Sequence, residues 1–103
     1  MIMNGTRVTM FIGLTTKTGR TLDREETIKK IALALKRKYQ IDGFTVVDGE
    51  GRWKGEVEKC LVVTVFTFVQ HPWASFTQLL AQALEQEAIL LAIEEIRGGC
   101  VFA

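Results

Sequence analysis

The chain has 103 residues, 48% hydrophobic and 24% charged, with nine glycines and one proline. That balance describes one folded α+β domain, 1–103, with enough apolar residues for a core and too few residues for two. Thirteen Lys and Arg against twelve Asp and Glu leave a net charge of +1, so no overall field drives the chain onto a nucleic-acid polymer or an anionic membrane, and any anion site is local.

The opening Met1-Ile-Met-Asn-Gly lacks a basic stretch followed by a long apolar run, and no apolar stretch reaches the roughly 18 residues of a membrane span. The expected compartment is the cytoplasm. Cys60 and Cys100 read as plain buried hydrophobes, and their spacing leaves open whether they meet.

In chain order, Thr6 to Leu14 alternates. Val8, Met10, Ile12 and Leu14 form one side and Arg7, Thr9, Phe11 and Gly13 the other, which predicts a half-buried strand with Phe11 as an apolar outlier. The polar, glycine-containing run Thr15 to Arg20 predicts a loop. Asp23 and Glu26 fit a capping box, so a helix is expected from there to about Gln40, with Ile28, Ile31, Ala32, Leu35 and Tyr39 on one face. Lys36, Arg37 and Lys38 sit where cations complement the helix dipole, a solvated helix end rather than a binding patch.

Gly43 to Asp48 predicts a short strand, and Asp48-Gly49-Glu50-Gly51 a hairpin turn that presents Arg52, Trp53 and Lys54 just beyond it. From Val57 to Val69 a long strand is expected that is apolar on both faces: Leu61, Val63, Val65, Thr67 and Val69 alternate with Cys60, Val62, Thr64, Phe66 and Phe68. His71-Pro72-Trp73 breaks it. Ser75 and Gln78 give a second capping signal before a helix with Phe76, Leu79, Leu80, Ala83 and Leu84. Glu87 to Glu95 turns strand-like, and Cys100 to Ala103 is a short final strand or a tail.

The order β-α-β-β-α-β is the ferredoxin-like arrangement, an antiparallel sheet with both helices on one face. Two helices cover one face only, so the second apolar face is expected to meet another copy of the chain in a homo-oligomer.

The residues speak against several specialised roles. The strand 61–68 lacks the glycines and basic start of an RNA-recognition motif. One histidine and two isolated cysteines make no metal cluster, and no cofactor motif is present. His71 is the only imidazole, and a structural role outweighs a catalytic one there. What remains is a set of loop residues suited to a small nucleotide: Thr16, Lys17 and Arg20 after the first strand, Trp53 on the hairpin, Arg97 beside the last strand, and Phe11. Arginine presents a fork of donors for phosphate, and an indole a face for a purine. Ordinary solvated loops account for the same residue types.

Phe11-Ile-Gly-Leu-Thr-Thr-Lys17, Gly43-Phe-Thr-Val46 with Gly51-Arg-Trp53, Glu58-Lys-Cys60 and Gln86-Glu-Ala-Ile-Leu-Leu91 together resemble a group of small phage-encoded proteins. The group includes the Thoeris anti-defence sponges, which sequester cyclic ADP-ribose signals. The resemblance implies a non-enzymatic, oligomeric protein in the host cytoplasm whose small nucleotide-derived ligand meets aromatic and arginine side chains, and the loop residues above supply the candidates Phe11, Thr16, Lys17, Arg20, Trp53 and Arg97. A small dimeric α+β-barrel enzyme of monooxygenase or isomerase type, with a cavity between two sheets, is the alternative.

Overall fold

The computed structural model describes residues 1–103 and contains β1 (Met3–Gly13), α1 (Arg24–Tyr39), β2 (Thr45–Trp53), β3 (Glu56–Thr67), α2 (Trp73–Ala83) and β4 (Leu90–Gly98). The strands form one antiparallel sheet in the order β2-β3-β1-β4, so the ferredoxin-like arrangement expected from the sequence is the one observed. No helix is long and apolar enough to cross a membrane.

The alternation along the strands decides what is covered. Val8, Met10 and Ile12 of β1 and Leu61, Val63 and Val65 of β3 point inward with Ile31 and Leu35 of α1 and Phe76 and Leu80 of α2 to make the core. The other face holds cross-strand rows: Val47, Val62, Phe11 and Leu90 in one, Phe66, Arg7 and Glu94 in another. Val47, Phe66, Phe68 and Leu90 are exposed there. Arg7 donates to both carboxylate oxygens of Glu94, at 3.1 and 2.7 Å, so this face combines apolar margins with an ion pair and threonines Thr9, Thr45 and Thr64.

Two local expectations are corrected. Asp48 to Gly51 is not the hairpin turn but the middle of β2. Asp48 points to the helical side, where the Arg24 guanidinium donates to both its oxygens at 2.7 and 3.0 Å, holding its carboxyl below the usual carboxylate range. The turn lies at Lys54 and Gly55, both with positive φ (51° and 79°), as a two-residue hairpin between right-twisted strands requires.

Helix α2 begins at Trp73 behind Pro72, without a side-chain cap, so Ser75 lies inside the helix instead of capping it. Proline's fixed φ and missing N–H suit a helix start. Cys100 to Ala103 adds no strand, and both cysteines are free. Around α1 the Asp23 half of the capping box forms: the Asp23 carboxylate accepts from the Glu26 N–H at 2.9 Å.

Candidate functional site

At the end of the sheet where β1 leaves and β4 enters, a cleft of about 770 Å³ opens on the face away from the helices. That volume falls among those of small-molecule pockets, roughly 300–1,000 Å³. Two loops build one wall. The segment after β1 is closed by a Thr15–Thr21 bridge, and the Thr16 carbonyl accepts from Gly19 N–H at 2.9 Å. The segment before β4 is stitched to it: Lys17 N–H donates to Glu85 O at 2.9 Å, and the Gln86 amide nitrogen donates to Thr15 O and Leu84 O. With that nitrogen engaged, the Gln86 side chain has its amide oxygen left as an acceptor.

The opposite wall is the β2–β3 hairpin, whose tip reaches over to the same loops. Trp53 Nε1 donates to Glu87 at 3.3 Å, and Lys54 Nζ donates to the other Glu87 oxygen at 2.5 Å. This clasp spans the cleft. The Lys54 and then the Trp53 hydrogen bond hold the Glu87 carboxyl below its ordinary range.

Between the walls the floor is nearly bare. Gly49, Cys60 and Gly13 form one cross-strand row, and Gly51 stands opposite Glu58 in the next. The only side chains rising from it are Glu58 and Cys60, with Val62 and Phe11 beyond. Glu58 folds over Gly13 and makes no ion pair within the chain. Burial, and then the charge of Glu58, push the Cys60 thiol up, so it is a protonated, weakly nucleophilic group. No cluster of three or more His, Cys, Asp or Glu is placed to hold a metal ion.

The residues proposed from sequence fall in three places. Phe11, Thr16, Lys17 and Trp53 line the cleft together. Thr16 is buried and its hydroxyl is used internally, accepting from Arg20 N–H at 3.0 Å and bonding Thr18. Arg20 turns away and pairs with Glu85. Arg97 lies at the far end of the sheet, in a separate hollow with Asn4, Phe68 and Glu95, so Arg20 and Arg97 do not converge with Trp53 on one ligand.

His71 stacks on Tyr39 at 4.0 Å between ring centroids, away from the cleft, where it acts as packing. Sequence reasoning passed over Glu58, Gln86 and Glu87. The signal for the floor was present in Gly49-x-Gly51, two glycines at strand spacing.

No family model matches the chain, and no curated protein matches it. Solved structures do. A phage SAM lyase in complex with S-methyl-5'-thioadenosine superposes with a TM-score of 0.75 at 17% identity, covering 88% of this chain and 81% of that chain. A phage SAM lyase in the apo state gives a TM-score of 0.66 at 19% identity, covering 89% and 81%.

At these identities the likeness is one of fold. Both neighbours are phage proteins, and one holds a small nucleoside-derived ligand, but neither is a cyclic ADP-ribose sponge. The expectation of a non-enzymatic chain is corrected by the same finding, since both of these structural neighbours are lyases.

Proposed function

We propose that the chain binds S-adenosylmethionine in the cleft over Gly13 and breaks a carbon–sulfur bond, releasing S-methyl-5'-thioadenosine. The observation that carries this reading is Glu58, an unpaired carboxylate laid across the floor of a cleft walled by Trp53 and Phe11. A sulfonium is a cation, and it is favoured by a nearby carboxylate and by an aromatic face. The methionine part adds an ammonium and a carboxylate, matched by Glu56 on the hairpin and Lys17 on the loop after β1.

The chemistry asks little of the protein. When the carbon–sulfur bond breaks, its electron pair returns to sulfur and the leaving group is a neutral thioether, while an oxygen of the substrate's own carboxylate bonds to the carbon that sulfur leaves and closes a lactone, so neither a general acid nor a nucleophile from the protein is needed. The tasks left are to hold one pose, to thin out water and to place charge where it is needed. The likeness of fold to a lyase that holds S-methyl-5'-thioadenosine supports the assignment. The protonated state of Cys60 and the packing role of His71 leave carboxylate electrostatics as the lever. In an infected cell, loss of the methyl donor from the cytoplasm would starve methylation-dependent defences.

A second copy on the sheet face belongs to the same proposal. The cleft opens on the face that exposes Val47, Phe66 and Leu90, and a partner laid there would bury apolar surface and roof the cleft together. Light scattering on the eluting peak reads the mass: an oligomer is expected, and a monomer ends this part.

The test of the activity is incubation with S-adenosylmethionine, followed by chromatography. S-methyl-5'-thioadenosine should accumulate, and at limiting substrate a Glu58→Gln variant, which holds the sulfonium more weakly, should form it at least about tenfold more slowly. Intact S-adenosylmethionine after prolonged incubation, or calorimetric preference for cyclic ADP-ribose isomers over S-methyl-5'-thioadenosine, overturns the reading.

A further inference from the structure

Glycine weakens a strand by roughly 0.5–1 kcal/mol relative to alanine, through lost chain entropy and the missing side chain. Strand β2 carries two, Gly49 and Gly51, both on the face away from the helices because they stand opposite Cys60 and Glu58. At Gly49 an added Cβ would lie 3.2 Å from Cys60 Sγ, a tight fit. Gly51 is different: its Cβ would meet only Cys60 Sγ at 3.9 Å and Glu58 O at 4.0 Å, ordinary van der Waals distances. Its φ is not positive either. The fold therefore makes no demand for glycine at 51, although the strand is weaker for having it.

What lies above Gly51 is the cleft. Along this face β2 presents a bare position at 49, a bare position at 51 and then the Trp53 indole. We infer that Gly51 is a seat on which the flat ring of the ligand lies against the strand backbone, between the Cys60 side chain that covers Gly49 and the Trp53 indole. The class of ligand is a nucleoside whose purine meets peptide planes at van der Waals distance, and Gly51 is a specificity-determining residue. This inference rests on the cleft being the nucleoside site. A side chain at 51 raises the floor by at least a methyl group, and one misplaced methyl group or methylene in a fitted pocket changes recognition by about 10–200-fold.

The probe is S-methyl-5'-thioadenosine, titrated calorimetrically into the wild-type chain and into Gly51→Ala, Gly51→Val and Gly43→Ala. Gly43 is a control, since a Cβ there meets nothing within 4 Å and it lies outside the cleft. Gly51→Ala and Gly51→Val should unfold at the same denaturant concentration as the wild type or higher. Their affinity should fall by about tenfold or more, while Gly43→Ala binds normally.

Should the valine variant fail to fold, the alanine variant decides. In the wild type, ligand binding should also shift the Gly51 Hα resonances through the purine ring current. Wild-type binding with undiminished binding by folded Gly51 variants overturns the seat and leaves the function standing. No binding by the wild type overturns the nucleoside cleft and the seat with it.

Discussion

Glu58 lies over Gly13 so closely that a methyl group on residue 13 would sit 2.5 Å from Glu58 Oε1. The two residues belong to different strands, and the backbone room at Gly13 is what lets the carboxylate fold down onto the floor of the cleft. Gly13→Ala should evict it. The obstructed atoms are the end of a flexible side chain, so the fold yields at small cost, within about 1 kcal/mol by urea unfolding. At limiting substrate, formation of S-methyl-5'-thioadenosine should fall at least about tenfold, through weaker capture of the sulfonium. A Gly13→Ala chain with full activity would mean that the position of this carboxylate is irrelevant.

The clasp between the hairpin and Glu87 predicts a pH dependence. Lys54 first, then Trp53, lowers the Glu87 pKa from its ordinary 4.5. A carboxyl with a lowered folded-state pKa stabilises the closed arrangement above the ordinary value, and that contribution is lost as pH falls through the folded value. The hairpin tip should therefore stay engaged at pH 5 and detach in stronger acid. Carbon-detected NMR of the Glu87 carboxyl should give a midpoint below 4.5, and Lys54→Met should move it back up. An unchanged midpoint in that variant would show that the lysine is not what holds the carboxylate.

Trp53 and Arg97 separate the two ends of the sheet. Trp53 borders the cleft and Arg97 the hollow at the opposite end, so Trp53→Ala should weaken S-methyl-5'-thioadenosine binding by about 1–3 kcal/mol, the scale of base stacking. Arg97→Ala should leave it unchanged. Isothermal titration of both variants decides the matter, and the reverse pattern would move the ligand to the other end of the molecule.

How much of this was legible in the sequence follows from the range of the forces involved. Periodicity reports burial, so the inward row from Val8 to Ile12 was readable before any coordinates, and so was the Asp23 cap, a contact spanning three residues, whereas β3 is apolar on both faces and its pattern did not tell that Leu61, Val63 and Val65 turn inward. The turn was misplaced because Asp-Gly-Glu-Gly is local turn chemistry that tertiary contacts overrule: Arg24, distant in sequence, fixes Asp48 in a strand.

The site was half legible for the same reason. Phe11 and Trp53 announce themselves by type, whereas Glu58 gains its meaning from Gly13 on another strand and Glu87 from a hairpin 33 residues earlier. Arginines in the loops suggested phosphate binding, but only the fold shows that Arg20 is spent on Glu85 and Arg97 sits elsewhere.

Helix α2 carries a defect that can be repaired. Thr77 is buried, and its Oγ1 finds no hydrogen-bond partner. An unpaired buried hydroxyl costs about 1–3 kcal/mol in lost hydration. Valine has nearly the same shape and a similar helix propensity, so Thr77→Val keeps the packing and removes the cost. Stability by urea unfolding should rise by about 1 kcal/mol with an unchanged slope, and ligand binding should not change because Thr77 does not line the cleft. A loss of stability would instead reveal a buried water satisfying the hydroxyl, since removing its partner would then strand that water.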